Sequence, residues 1–162
     1  SILNNWVVPR KYFESKEAQI VSWALGQLVK MKETHQFISE VALKFSFFGQ
    51  IISGIPDLVL LHDQEAQVWD FKTGNPDESK NTSYWFQLKA YALAMYQLKR
   101  VSMDKPIKLV LCYVDKRENY EKIISYQQIK DELYQIWSTV ERPDLKNLEH
   151  CSSCSFQKLC HL

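Results

Sequence analysis

Two acids and a lysine stand in otherwise apolar, strand-like stretches. Asp57 closes Gly54-Ile55-Pro56-Asp57, and Asp70 and Lys72 lie within Trp69-Asp70-Phe71-Lys72-Thr73-Gly74. Strand side chains alternate between faces, so Asp70 and Lys72 point one way and Trp69 and Phe71 the other. Charges on a buried strand face carry a desolvation penalty unless they are paired or bound to a metal. Two carboxylates near the ends of adjacent strands suit Mg²⁺ or Mn²⁺, which prefer hard oxygen ligands. Asp57 and Asp70 would each supply oxygens, and the backbone carbonyl of Phe71 lies between Asp70 and Lys72 to add another. Lys72 would stand beside the metal. Such a set can activate water, polarise a phosphodiester and stabilise the charge that develops on it. The competing reading is a structural Asp–Lys contact with Asp57 as a turn residue, because D-x-K is a short and common string.

The elements that must position these residues follow from periodicity. From about Phe13 to Lys32, Ile20, Trp23, Ala24, Leu28 and Met31 recur at helical steps and predict an amphipathic helix. Gln36 to Phe48 reads as a strand carrying Glu40, and Gly49-Gln50 turns it into a second arm running from Ile51 to Leu61. Gln67 to Lys72 then completes a three-stranded antiparallel meander. Thr73 to Thr82 is rich in turn-forming residues and reads as a loop beside the acids. Tyr84 to Lys99 predicts a helix on which Gln87 and Tyr91 share a face. Ile107 to Val114 reads as a buried central strand, Tyr120 to Tyr126 as an edge strand, and Ile129 to Val140 as a closing helix. The expected fold class is α/β, a sheet with helices covering its faces.

At 162 residues the chain is long enough for one domain with a real core, and 46% hydrophobic residues exclude disorder as its general state. A formal charge of +1 gives no global signal for nucleic acid, so such binding would need a local patch or bridging metal ions. No apolar run is long enough to span a membrane and no secretion signal opens the chain, so a cytoplasmic location without a membrane partner is expected. The chain opens at Ser1 without a Met, and further sequence before it is expected. Of four cysteines, three crowd the last twelve residues, which in a cytosolic protein favours metal ligation over disulfides. Cys112, inside the apolar strand, reads as a small buried hydrophobe. The expected organisation is a domain over residues 1–142 and a cysteine-containing tail over 143–162 packed on or near it.

Gly-Ile-Pro-Asp57, then Asp70-Phe-Lys72-Thr-Gly, then Gln87-Leu-Lys-Ala-Tyr91 resembles the PD-(D/E)xK nuclease superfamily. More narrowly it resembles the nuclease domain of RecB- and AddAB-type helicase–nucleases, over roughly residues 36 to 92. The resemblance implies a restriction-endonuclease-like core with a mixed central sheet. It implies that Asp57 and Asp70 bind the catalytic Mg²⁺ or Mn²⁺, that Lys72 assists catalysis, and that Gln87 and Tyr91 line the DNA path. Read from spacing alone, Gln87 is a polar residue and Tyr91 a core aromatic on one helical face. Glu40 matches an acid found on the strand before the G-x-x-D segment and is a supporting residue. The chain departs from the pattern on its first helix, which lacks the usual His. Gln19 or Glu17 occupies that place, and in other branches of the superfamily a first-helix Glu holds metal. Glu17 is therefore read either as a metal ligand or as a solvated acid near a helix start.

The tail Cys151-x2-Cys154-x5-Cys160 resembles the C-terminal cysteines of AddB-type and CRISPR-associated nucleases. There they join an upstream cysteine around a [4Fe-4S] cluster, and no such cysteine precedes the core here. Zinc held by these cysteines and His150 or His161 also fits the ligand chemistry, and a tail without metal is the third reading. The function expected is metal-dependent DNA cleavage with exonuclease action favoured, in DNA end processing, repair or recombination. A helicase partner would lie in the same chain or complex, and phosphate contacts would come from Lys80, Lys89 and Arg100. The alternatives are a standalone restriction-like or junction-resolving nuclease and a non-catalytic DNA-binding module.

Overall fold

The computed structural model describes residues 16–140 apart from positions 48 and 64, and not the side chains of residues 17, 78, 79, 139 and 140. Three helices and seven strands lie in this range: α1 (Lys16–Val29), β1 (Gln36–Ser39), β2 (Leu43–Phe47), β3 (Gln50–Gly54), β4 (Leu58–His62), β5 (Glu65–Lys72), α2 (Glu78–Gln97), β6 (Ile107–Tyr113), β7 (Glu118–Ile124) and α3 (Tyr126–Val140). Five strands form one sheet in the order β1-β4-β5-β6-β7, and β2 and β3 form a separate pair. The β5–β6 pair is parallel and the others are antiparallel. The α2 crossover between β5 and β6 meets the length a parallel connection needs. The fold is thus the mixed α/β sheet flanked by helices that the sequence implied.

The expected meander is corrected. The run from Gln36 to Phe48 is two strands, broken where Glu40 takes a left-handed φ of 53°. The hairpin turning at Gly49 (φ 76°) leaves the main sheet altogether, and β1 pairs instead with β4, three strands later in the chain. Glu40 therefore sits in an exposed bend after β1, not within a strand. The loop expected over 73–82 is also shorter. Asp77 accepts from the backbone N–H groups of Lys80 and Asn81 and starts α2 at Glu78. Likewise α3 begins at Tyr126, because Ser125 and Gln128 cap it reciprocally: the Ser125 hydroxyl accepts from Gln128 N–H while the Gln128 side chain accepts from Ser125 N–H. The expected central and edge strands hold, with β6 buried along its length and β7 exposed at the sheet edge.

The sheet has two differently clothed faces. On one, Val59, Ala66, Val68, Leu109 and Leu111 pack with α2 and α3. On the other, Leu58, Leu60, Trp69, Val110 and Cys112 pack against Trp23 and Leu28 of α1 and Met31 in the turn after it. From Tyr91 to Tyr96 every residue of α2 is buried, so its C-terminal half is a core helix rather than a surface one. Burial pushes the Cys112 thiol up to about 11, as suits an inert core residue. Among the described residues no helix is long and apolar enough to cross a membrane.

Candidate active site

On β5 the face that carries Ala66 and Val68 continues to Asp70 and Lys72, while Trp69 and Phe71 turn to the α1 side. The alternation expected from sequence is therefore realised, and the two charges lie on the α2 side of the sheet. Asp57 reaches the same place from the position just before β4. The β4–β5 ladder pairs Leu58 with Trp69, and one further step sets Asp57 opposite Asp70. Asp57 does not continue the ladder through its backbone. Its Oδ2 accepts the Phe71 N–H at 2.8 Å, so the side chain itself bridges the two strand ends.

Asp70 is the one buried charged residue among those described, at 6% exposure. Its Oδ2 lies 2.7 Å from Lys72 Nζ, and this ammonium is its close partner. Burial raises the Asp70 carboxyl above its ordinary value. The Lys72 ammonium opposes that shift and the Asp57 carboxylate adds to it. A buried carboxylate beside a second, exposed carboxylate offers the hard oxygen donors that suit a divalent ion. Asp57, being exposed, keeps an open approach to it. Among the described residues no group of three or more His, Cys, Asp and Glu side chains converges as a metal cage. The donors on hand are thus two carboxylates and the Phe71 carbonyl, a set that leaves the remaining positions of an Mg²⁺ to water.

Two residues that sequence reasoning passed over complete the surroundings. Lys72 Nζ stands 4.2 Å from the centre of the Tyr84 ring, which gives the ammonium a second partner. Tyr84 precedes Gln87 by three residues and Tyr91 by seven, a helical spacing that could have flagged it. Asp115, just past β6, accepts the Gly74 N–H at 2.7 Å, and Val114 N–H donates to the Lys72 carbonyl at 3.0 Å. These bonds fasten the chain where it leaves β5, with Gly74 in a left-handed φ of 86°.

The family model for the PD-(D/E)XK nuclease superfamily matches residues 3–161. The chain belongs to this superfamily. Nothing among curated proteins matches the chain. Among solved structures, a candidate exonuclease from Eubacterium rectale superposes with a TM-score of 0.52 at 11% identity, over 78% of this chain and 51% of that one. The chain therefore spans about half the length of that neighbour, whose likeness speaks for the fold. SSO0001 is a more distant match, with a TM-score of 0.43 at 18% identity over 93% of this chain and 79% of that one.

Within this superfamily member the remaining expected site residues fall into three groups. Gln87 is exposed and Tyr91 is 6% exposed, so of the two only Gln87 presents itself to solvent. Glu40 is exposed in its bend and makes no hydrogen bond or ion pair to Asp57, Asp70 or Lys72. The Glu17 side chain and all of Cys151, Cys154 and Cys160 lie outside the described residues. Of the expected phosphate contacts, Lys80 is exposed near the start of α2. Lys89 is instead engaged by Glu132 of α3, and Arg100 lies beyond the far end of α2 from Tyr84. Lys89 is thus corrected from a DNA contact to an interhelical partner.

Proposed function

We propose that this chain is a metal-dependent deoxyribonuclease domain that hydrolyses phosphodiester bonds at the ends of β4 and β5. The observation that carries this reading is the joined set of Asp57 opposite Asp70, with Lys72 2.7 Å from the latter, on a strand face otherwise built as core. Asp57, Asp70 and the Phe71 carbonyl would hold Mg²⁺ or Mn²⁺. The bound ion would lower the pKa of a ligated water and polarise the scissile phosphate. Asp70 contributes a buried oxygen that bulk water does not screen. Lys72, fixed between Asp70 and the Tyr84 ring, offers a positioned cation to the developing phosphorane charge. Gln87, exposed on the same helix as Tyr84, would meet the DNA strand.

The finer reading is a RecB/AddAB-type exonuclease domain serving a helicase in the same chain or complex. Its support is the motif set Gly54–Asp57, Asp70–Gly74 and Gln87–Tyr91. Residues 1–142 would form the nuclease domain, and Cys151, Cys154 and Cys160 of the tail would bind an iron–sulfur cluster or zinc. The test is cleavage of end-labelled linear DNA beside covalently closed circular DNA, with Mg²⁺ or Mn²⁺ and with chelator. Metal-dependent loss of the linear substrate alone is expected. Cleavage of the circle would favour the standalone endonuclease, and no cleavage of either would favour a non-catalytic module. Absorbance of anaerobically purified protein with metal analysis tests the tail, and neither iron nor zinc in the full-length protein would refute both assignments.

A further inference from the structure

Gly54 and Tyr91 are far apart in sequence, yet they touch. A Cβ built on Gly54 would stand 2.5 Å from the Tyr91 Cε1, well inside any real carbon contact. Gly54 is required here by the approach of a ring and not by a left-handed backbone, since its φ is not positive. One residue on, the Tyr91 hydroxyl donates to the Ile55 carbonyl at 3.2 Å and accepts from Gln87 Nε2 at 2.8 Å. Ile55 is itself 56% exposed, so little else about it anchors the crossover between β3 and β4. Two residues later comes Asp57, itself exposed and outside the strand ladder. Where Asp57 stands therefore depends on how the backbone over residues 54–56 is held.

The same helix holds the hairpin elsewhere too. The Gln97 amide donates to the Ser46 carbonyl at 2.7 Å and accepts the Ser46 N–H at 2.9 Å, which satisfies the outer edge of β2. Thus α2 grips β2 through Gln97 and the exit of β3 through Tyr91. We propose that Tyr91 is a positioning residue for Asp57, acting through Gly54 and the Ile55 carbonyl. A tyrosine lining a DNA path would present its ring or hydroxyl to solvent. This ring is buried, and its hydroxyl is committed on both its donor and acceptor sides.

The inference rests on Asp57 being a metal-holding acid, as in the proposed function. It is tested by Mn²⁺ titration of the 162-residue chain, with free Mn²⁺ followed by electron paramagnetic resonance. DNA affinity is measured separately in chelator, and melting temperature confirms the fold. Tyr91→Phe keeps the ring against Gly54 and removes both hydrogen bonds. It is expected to weaken Mn²⁺ binding about tenfold, the scale of support lost behind a metal ligand, with DNA affinity unchanged. Unchanged Mn²⁺ affinity, or a loss confined to DNA affinity, would overturn the inference while leaving the metal reading standing. A wild-type chain that binds no Mn²⁺ would overturn the metal reading and this inference with it. Gly54→Ala supplies an independent arm. It should weaken Mn²⁺ binding in the wild-type background and add little in a Tyr91→Leu background, where the obstructing ring is gone. Full additivity of the two substitutions would also overturn the inference.

Discussion

Among the described residues, two ion pairs on the α2 side of the sheet do different things. Lys89 and Glu132 join α2 to α3, so their contact ties two elements together. Asp70 and Lys72 sit two residues apart on one strand, so their contact ties nothing to anything. Yet the second pair is the more deeply placed at the carboxylate end: the Asp70 side chain is 8% exposed, against 44% for Glu132. Burying a carboxylate carries a large desolvation penalty, and a contact within one strand returns no tertiary connection to offset it. The structural pair leaves its acid in water and spans a layer. The strand pair desolvates its acid and spans none, which is the pattern of a site whose stability has been traded for chemistry.

Cutting each pair should separate the two roles in activity and in stability. Asp70→Ala and Lys72→Ala should each lower the cleavage rate on labelled DNA by about a thousandfold, the upper range for losing one preorganised electrostatic partner. Melting curves should show the fold retained. Equal rates in wild type and both variants would show the strand pair to be structural after all. Tyr84→Leu should lower the rate less, by about fivefold, since a cation–π contact is worth about 1 kcal/mol. Tyr84→Phe should keep most of the wild-type rate. Glu132→Ala should do the opposite of the strand variants, reducing unfolding free energy by about 1 kcal/mol in denaturant titration while leaving the cleavage rate alone, because a partly exposed pair contributes little more.

The smallest effect concerns pH. Burial raises the Asp70 carboxyl, so the metal-free folded state holds its proton more tightly than the unfolded chain does. The stability this contributes is present below the unfolded value near 4 and is lost as pH rises through the raised folded value. Asp70→Asn should remove that fall, so that the variant and wild type diverge in melting temperature as pH rises above about 4, with the variant the more stable at neutral pH. Saturating Mn²⁺ should narrow the gap by stabilising the wild type alone.

The strand pair was legible in the sequence because it depends only on a two-residue alternation, which Trp69-Asp70-Phe71-Lys72 displays without any tertiary information. The setting of Asp57 was legible only in outline. Its nearness to Asp70 follows from the register Leu58 to Trp69, and register is a property of two strands rather than one. The hairpin misled for a related reason. Partners of β1 are chosen by burial across the sheet, and the break at Glu40 has no glycine to announce it. The early start of α2 was written in Asp77, a residue type favoured at the N-cap, hidden in a stretch whose composition reads as loop. Tyr91 was legible as a core aromatic from its helical spacing. The resemblance that placed it on a DNA path could not show that Gly54 leaves room for its ring.

If the buried strand pair exists for catalysis, Asp70→Asn must expose it, because the substitution replaces one carboxylate oxygen with an amide nitrogen and removes the charge. The measurement is a time course of labelled linear DNA with Mg²⁺ or Mn²⁺, on protein whose melting temperature at neutral pH equals or exceeds that of the wild type. A stable protein that leaves the DNA uncut is expected. Cleavage at the wild-type rate would contradict it.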